Sequence, residues 1–195
     1  IRAMLTYGQE LIEFGPKRSF AIFFKDAEIE NACMRLAYDM SMYDQEACFS
    51  PQHLFLEDIS FDQIREPLTY YLNRISKFVP KVFTPIDIAA NLNNFALESM
   101  FMGDRIVRAE DNSWMLVGKQ AIDIPEDHPL SRSILVHTLH NINEILGLFN
   151  HDVQTISIFP LSHYPEVAEK FTKQGVSRIV ETVMANKPRV GLTHD

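Results

Sequence analysis

Chemistry in this chain would start most readily from a thiol. There are two cysteines, Cys33 and Cys48, and their settings differ. Cys48 lies in "DQEACFSPQ" (44–52), after a helical pattern and before an apolar, strand-like run. A loop in that place can hold a thiol at a cleft, where its thiolate form is a nucleophile. Backbone N–H groups around such a loop could face a developing oxyanion. Pro51 has no N–H and cannot be one of them. Glu46 is an acid two residues before Cys48, although a solvated loop residue is its plainer reading. His53 follows closely, but it opens a predicted strand. On the residues alone, a purely structural Cys48 stays open, since loop cysteines are more often structural. Cys33 falls in the stripe Ile29, Cys33, Leu36, Ala37 and Met40, at helical spacing. There a free cysteine behaves as a small hydrophobe.

Other chemistries find less support. No CxxC pair or HExxH occurs, and His137 and His140 fall in a predicted strand and at its end rather than on one helix face, so no metal site is expected. No G-x-G-x-x-G or G-x-x-x-x-G-K-S/T is present, so no self-contained nucleotide loop is visible. The 195 residues carry 26 acidic and 18 basic side chains, a net charge of -8. "NKPR" is the densest late basic stretch, which argues against nucleic acid or an anionic membrane surface as the main partner. No apolar run is long enough to span a bilayer, and "IRAMLTYG" is not a signal peptide. Two cysteines are too few for a disulfide framework and fit a reducing cytosol. "IRAMLTYG" reads as the last turns of a helix capped by Gly8. "VGLTHD" has no stop signal either, so the chain reads as a piece of a longer protein.

The elements that must position Cys48 can be laid out from periodicity. "ELIEFG" and "SFAIFF" read as strand-like segments around a "GPK" turn. Asp26, Glu28 and Glu30 lie near the start of a helix that Asp26 opens and that runs out near "SMYDQ". "HLFLE" (53–57) is a buried strand. Ser60 and Gln63 form a capping-box pattern for a helix that Pro67 should kink. Thr84, Pro85 and Asp87 start another, with Pro at the first helical position, running to about Met100 and ended by Gly103. "RIVRAED" and "WMLVGK" are strands around a "DNS" turn, and "SRSILVHTL" is a third. A short helix around "INEILGLF", the strand "TISIFP", the helix "PEVAEKFTKQ" capped by Gly175 and the strand "VSRIV" complete the chain. Alternating strands and helices predict an α/β sheet that is at least partly parallel, in one domain over residues 1–195.

The stretch "LIEFGPKRSFAIFFKDAEIENACMRLAYDMSMYDQEACFSPQHLFLED" resembles the catalytic segment of the aldehyde dehydrogenase superfamily. There a Glu in E-L-G-G-K precedes a strand and a "DAD(L/I)..A" helix, and a Cys follows in a G-Q-x-C loop. Glu13 takes the Glu place and Cys48 the Cys place. "FGPKRS", "QEACFSPQ" and the late "GVSRIVE" are similar to the acyl-CoA reductase branch, which includes the fatty acid reductases of bacterial bioluminescence. The resemblance covers essentially the whole chain. It implies an aldehyde-dehydrogenase-like catalytic domain, a largely parallel sheet flanked by helices, with the nucleotide-binding domain upstream of Ile1. It also implies reduction of a long-chain acyl thioester to the aldehyde through an acyl-enzyme on Cys48. NADPH is the implied reductant, bound mainly by residues outside the chain.

The implied partners are an acyl-protein synthetase and an acyltransferase of a fatty acid reductase complex, in a cytoplasmic homo-oligomer. Glu13 is implied as a proton carrier facing Cys48. Its alternative is a carboxylate that pairs with Lys17 or a backbone N–H at the turn. Aldehyde oxidation, acyl-phosphate reduction, and a non-catalytic docking module for an acyl-activating enzyme are the competing readings. The sequence departs from the wider superfamily in three places. Pro16 replaces the second Gly of E-L-G-G-K, Gln45 stands three residues before the Cys rather than two, and no E-x-F-G-P motif occurs. The cofactor contacts are therefore unassigned.

Overall fold

The computed structural model describes residues 6, 8, 17–81, 84–125 and 128–187. The Glu13 and "ELIEFG" expectations lie outside these residues. Seven strands form one sheet in the order β3-β4-β5-β2-β1-β6-β7: β1 (Arg18–Phe23), β2 (His53–Glu57), β3 (Arg105–Arg108), β4 (Met115–Gly118), β5 (Ser133–Leu139), β6 (Val153–Phe159) and β7 (Arg178–Glu181). Every pairing is parallel except β3 with β4, which form an antiparallel hairpin at one edge. The central strands are buried on both faces, which is why "SFAIFF" and "HLFLE" read as continuous apolar runs rather than as alternation.

α1 (Ile29–Ser41) and α2 (Phe61–Phe78) cover one face. Cys33, Leu36 and Met40 of α1 and Ile64, Leu68 and Leu72 of α2 pack with Ala21, Phe23, Leu54 and Leu56 of the sheet. The opposite face carries two smaller cores. Leu92 and Ala96 of α3 (Ile86–Phe101) meet Met115, Val117 and Leu135, while Val167 and Phe171 of α4 (Tyr164–Lys173) meet Phe20, Ile22 and Ile158. Each fully buried Leu, Ile or Phe contributes about 1.5–3 kcal/mol of transfer free energy.

Several boundaries differ from the sequence expectation for local reasons. α1 is opened by Glu28, not Asp26: the Glu28 carboxylate accepts from the N–H groups of Glu30 (3.1 Å) and Asn31 (2.9 Å). Asp26 instead accepts from His163 Nε2 at 2.7 Å. Pro85 is the residue before the first helical one rather than the first. α2 runs as one helix through Pro67, held at its start by Ser60 N–H donating to Gln63 Oε1 at 2.8 Å. "INEILGLF" forms a 3-10 helix, Ile142–Leu148. Gly103 (φ +86) and Gly175 (φ +95) turn the chain after α3 and α4 through the left-handed region, where glycine carries no Cβ penalty. No described helix is long and apolar enough to cross a membrane.

The sheet also buries imidazoles. His53 Nδ1 and His137 Nε2 share a hydrogen bond at 3.1 Å, with both side chains fully buried. His128 donates from Nε2 to the Gln52 carbonyl (3.0 Å) and accepts at Nδ1 from Leu130 N–H (2.9 Å). Burial holds all three below the ordinary histidine value of 6.5: His53 well below, His128 at about 3, His137 at about 4. The unfolded chain therefore takes protons that the folded chain refuses. Stability is present above pH 6.5 and lost as pH falls towards 4, by up to about 1.4 kcal/mol per pH unit for each histidine. Urea unfolding of the wild type and His137→Asn at pH 7.5, 6 and 5 checks this. The variant should be less stable at pH 7.5 but lose stability more slowly on acidification, and parallel pH profiles would rule the account out.

Candidate active site

Cys48 sits at the tip of a β-turn between α1 and β2. The turn is closed by Ser50 N–H donating to the Ala47 carbonyl at 2.9 Å, which puts Cys48 and Phe49 at its two central positions. Cys48 is exposed and free, while Cys33 is buried in α1. Burial raises the Cys33 thiol to about 12, with Glu30 and Glu28 adding to the shift, and Cys33 Sγ faces only the Ile64 carbonyl, at 3.9 Å. A thiol in that state has almost no thiolate at neutral pH.

The turn is anchored from several sides. Ser19, in the second position of β1, donates its hydroxyl to the Cys48 carbonyl at 2.7 Å. Gln52 N–H donates to the Ser19 carbonyl at 2.8 Å. The amides of Glu46, Ser50 and Gln52 are thus committed, to the carbonyls of Tyr43, Ala47 and Ser19. Among the described residues no partner is seen for the Cys48 and Phe49 amides. Pro51 serves as an acceptor: its carbonyl takes a hydrogen bond from Gln45 Nε2 at 2.7 Å.

Gln45 belongs to an unusual run. Tyr43, Asp44 and Gln45 all have left-handed backbone (φ 55, 51 and 63). Side-chain-bearing residues pay about 1–2 kcal/mol each for that conformation. A second such run, Leu130, Ser131 and Arg132 (φ 51, 60 and 62), lies opposite, just before β5. Two contacts join the runs. Gln45 Nε2 also donates to the Ser133 carbonyl at 2.6 Å, and Arg132 Nε donates to Asp44 Oδ1 at 2.5 Å. Arg132 is 1% exposed and spends a further N–H on the Val79 carbonyl at 2.9 Å. Lys81 Nζ bonds the Ser131 hydroxyl and its carbonyl. A cavity of about 270 Å³ lies beside the two runs, lined in part by Asp44, Glu46, Lys81 and His128. Burial lowers the Lys81 ammonium below the usual lysine range, and Asp44 opposes that shift.

A third anchor comes from the C-terminal side. Asp39 of α1 is fully buried, and its Oδ2 accepts from the Val183 N–H at 2.7 Å. Burial raises the Asp39 carboxyl to about 6, against the lowering effect of its hydrogen bonds. Val183 is itself left-handed (φ 88), an outlier for a β-branched residue. Arg178 of β7 donates to the carbonyls of Met184 (3.0 Å), Ala185 (3.0 Å) and Lys187 (2.7 Å).

Of the acids and bases weighed from the sequence, Glu46 is exposed and faces the cavity. His53 is fully buried against His137 and Phe20. Lys17, the alternative partner for Glu13, donates to the His151 carbonyl at 3.1 Å. Gln45 was noted only as a departure in spacing, and Arg132 and Asp39 were not singled out in advance. Their signal was polar residues at positions the structure buries, visible only once 43–45 meets 130–132 and α1 meets the segment after β7. Among the described residues no three His, Cys, Asp or Glu side chains form a metal-holding group. Nor do they form a glycine-lined phosphate cradle: β1 passes into α1 through "FKDAE", which has no glycine.

The model of the family described as "Acyl-CoA reductase (LuxC)" matches residues 1–195. This chain belongs to the acyl-CoA reductase (LuxC) family. Among its relatives, the long-chain acyl-protein thioester reductase of Vibrio harveyi is 32% identical over 187 residues, 95% of the chain and 39% of that protein. That of Aliivibrio fischeri is 34% identical over 187 residues, again 95% and 39%. The chain therefore spans about two fifths of the length of these curated relatives. Solved structures with the same fold include the NADP-dependent glyceraldehyde-3-phosphate dehydrogenase from Bacillus halodurans, complexed with NADP. It gives a TM-score of 0.65 at 15% identity, over 92% of this chain and 40% of that one. The Mycobacterium tuberculosis aldehyde dehydrogenase, complexed with NAD+, gives 0.68 at 11%, over 87% and 39%. The aldehyde dehydrogenase fold expected from the sequence is thus present.

Gln45 supplies a direct check on how the turn is built. Gln45→Ala leaves two buried carbonyls without a donor, a cost of about 2–4 kcal/mol. Urea unfolding should register it. A change under about 0.5 kcal/mol would mean the left-handed run is held by other contacts.

Proposed function

We propose that this chain is the thiol-bearing part of a fatty acyl reductase that converts long-chain acyl thioesters to aldehydes, with Cys48 as the acyl acceptor. The observation that carries the reading is the setting of Cys48: an exposed thiol at the tip of an anchored β-turn whose two central amides are uncommitted among the described residues. The substrate class comes from the relatives, named as long-chain acyl-protein thioester reductases. In this reading the Cys48 thiolate adds to the thioester carbonyl carbon. The carbonyl oxygen becomes an oxyanion facing the Cys48 and Phe49 N–H groups. The original thiol then leaves with a proton, and the acyl group stays on Cys48 as a new thioester. A thiol suits this role because it is both a good nucleophile near neutral pH and a good leaving group.

NADPH is the proposed reductant. No glycine-lined phosphate cradle is seen between β1 and α1, and NADPH binding is assigned mainly to a nucleotide domain upstream of Ile1. The synthetase and acyltransferase of a fatty acid reductase complex are the proposed partners, and aldehyde for bacterial bioluminescence the proposed product. Water must be kept from the acyl-enzyme, since hydrolysis would compete with reduction.

Acyl labelling of the full-length protein with a radiolabelled acyl thioester tests the assignment. Cys48→Ser should abolish labelling and Cys33→Ser should leave it largely intact, because the Cys33 thiol is buried at α1. Equal labelling of the two variants would defeat the reading.

Glu13 is proposed as the proton carrier for the Cys48 thiol or the reduced intermediate. Glu13→Gln should then slow aldehyde formation by about a hundredfold while leaving melting unchanged, the scale of losing a general acid or base. A lowered melting temperature with near-normal turnover would instead make Glu13 a structural carboxylate of the turn.

A further inference from the structure

Ser50, two residues after Cys48, is fully buried and donates its hydroxyl to Asn186 Oδ1 at 3.2 Å. The same carboxamide donates from Nδ2 to the Asp39 carbonyl (2.9 Å) and to Asp39 Oδ1 (3.2 Å). Asn186 is 8% exposed, so both ends of its carboxamide are spent inside the protein. The segment that carries it is built for the purpose: Asp39 holds the Val183 N–H, and Arg178 gathers the carbonyls of Met184, Ala185 and Lys187.

We infer that Asn186 is a positioning residue for the nucleophile turn, fixing Ser50 to α1 so that the Cys48 thiol and its neighbouring amides keep one geometry. The inference rests on the reading of Cys48 as acyl acceptor. Asn186 touches neither Cys48 nor substrate in this account. It acts through Ser50, whose N–H closes the turn on Ala47. Ser19 holds the other side of the turn, at the Cys48 carbonyl. Loss of the Asn186 link therefore leaves the turn formed but free to rock about the Ser19 bond. That should lower the rate of acyl transfer while leaving the binding of the acyl chain alone.

The test is a double-mutant cycle in the full-length enzyme, with Ser50→Ala, Asn186→Ala and the double variant. Pre-steady-state acylation is followed over a range of acyl thioester concentrations, with melting temperatures taken on the same preparations. Each single variant should acylate about tenfold more slowly at saturation, with the half-saturating concentration within about twofold of wild type. The double variant should be no slower than the slower single, because both singles remove the same Ser50–Asn186 bond. Multiplying losses, wild-type acylation in both singles, or a change confined to half-saturation would overturn the inference. If Asn186→Ala does not fold, Ser50→Ala decides alone, since it deletes one hydroxyl; acylation at the wild-type rate would then refute the link. Acylation that persists in Cys48→Ser would instead show that the underlying reading had failed, whatever the cycle gave.

Discussion

The Gln45 carboxamide is the contact on which the site depends. Its two N–H bonds go to the carbonyls of Pro51 and Ser133, one just past the Cys48 turn and the other at the start of β5. Each of the two left-handed runs is unfavourable alone. Facing each other, joined by Gln45 and by the Arg132–Asp44 pair, they fix the place where the chain leaves α1. Burying a guanidinium is costly unless it is paired and hydrogen-bonded, and Arg132 gives one N–H to the Asp44 carboxylate and another to the Val79 carbonyl. One of the two runs ends three residues before Cys48, a placement common where local geometry serves function.

Around that contact the sheet acts as a rigid frame. β1 supplies Ser19 under the Cys48 carbonyl, and β5 supplies the Ser133 acceptor. β7 and the segment after it supply Arg178 and Asn186. The parallel order β5-β2-β1-β6-β7 brings the N-terminal ends of these strands to one edge, so residues distant in sequence become neighbours there. The helices contribute apolar surface, and α1 adds the buried Asp39, which ties it to the C-terminal segment.

The fold was largely legible in advance. "SFAIFF", "HLFLE" and "TISIFP" announce buried strands because no polar face interrupts them, and Ser60 with Gln63 announces the start of α2. Cys33 and Cys48 were separable because one falls on a helical stripe and the other breaks it. What stayed hidden were the polar residues inside. Gln45 read only as a departure in spacing, and its burial follows from a left-handed run that no propensity favours. Arg132 and Asp39 look like ordinary surface charges until their partners, 88 and 144 positions away, are known. His137 was weighed with His140, not with His53, yet the parallel strands of His53 and His137 place those two within hydrogen-bond reach. The start of α1 was misplaced by two residues because Asp, Glu and Glu compete in "KDAEIE", and only Glu28 has the extended backbone that lets its carboxylate fold back.

The anchors of the Cys48 turn have a temporal side. They come from Ser19, Ser133 and, through Ser50, Asn186, so they span nearly the whole chain. A ribosome releases these residues in order, with the thiol emerging long before its last support. Until residue 186 has left the exit tunnel, the growing chain lacks the last anchor of the Cys48 turn, so the geometry of that turn is completed only near the end of this segment's synthesis.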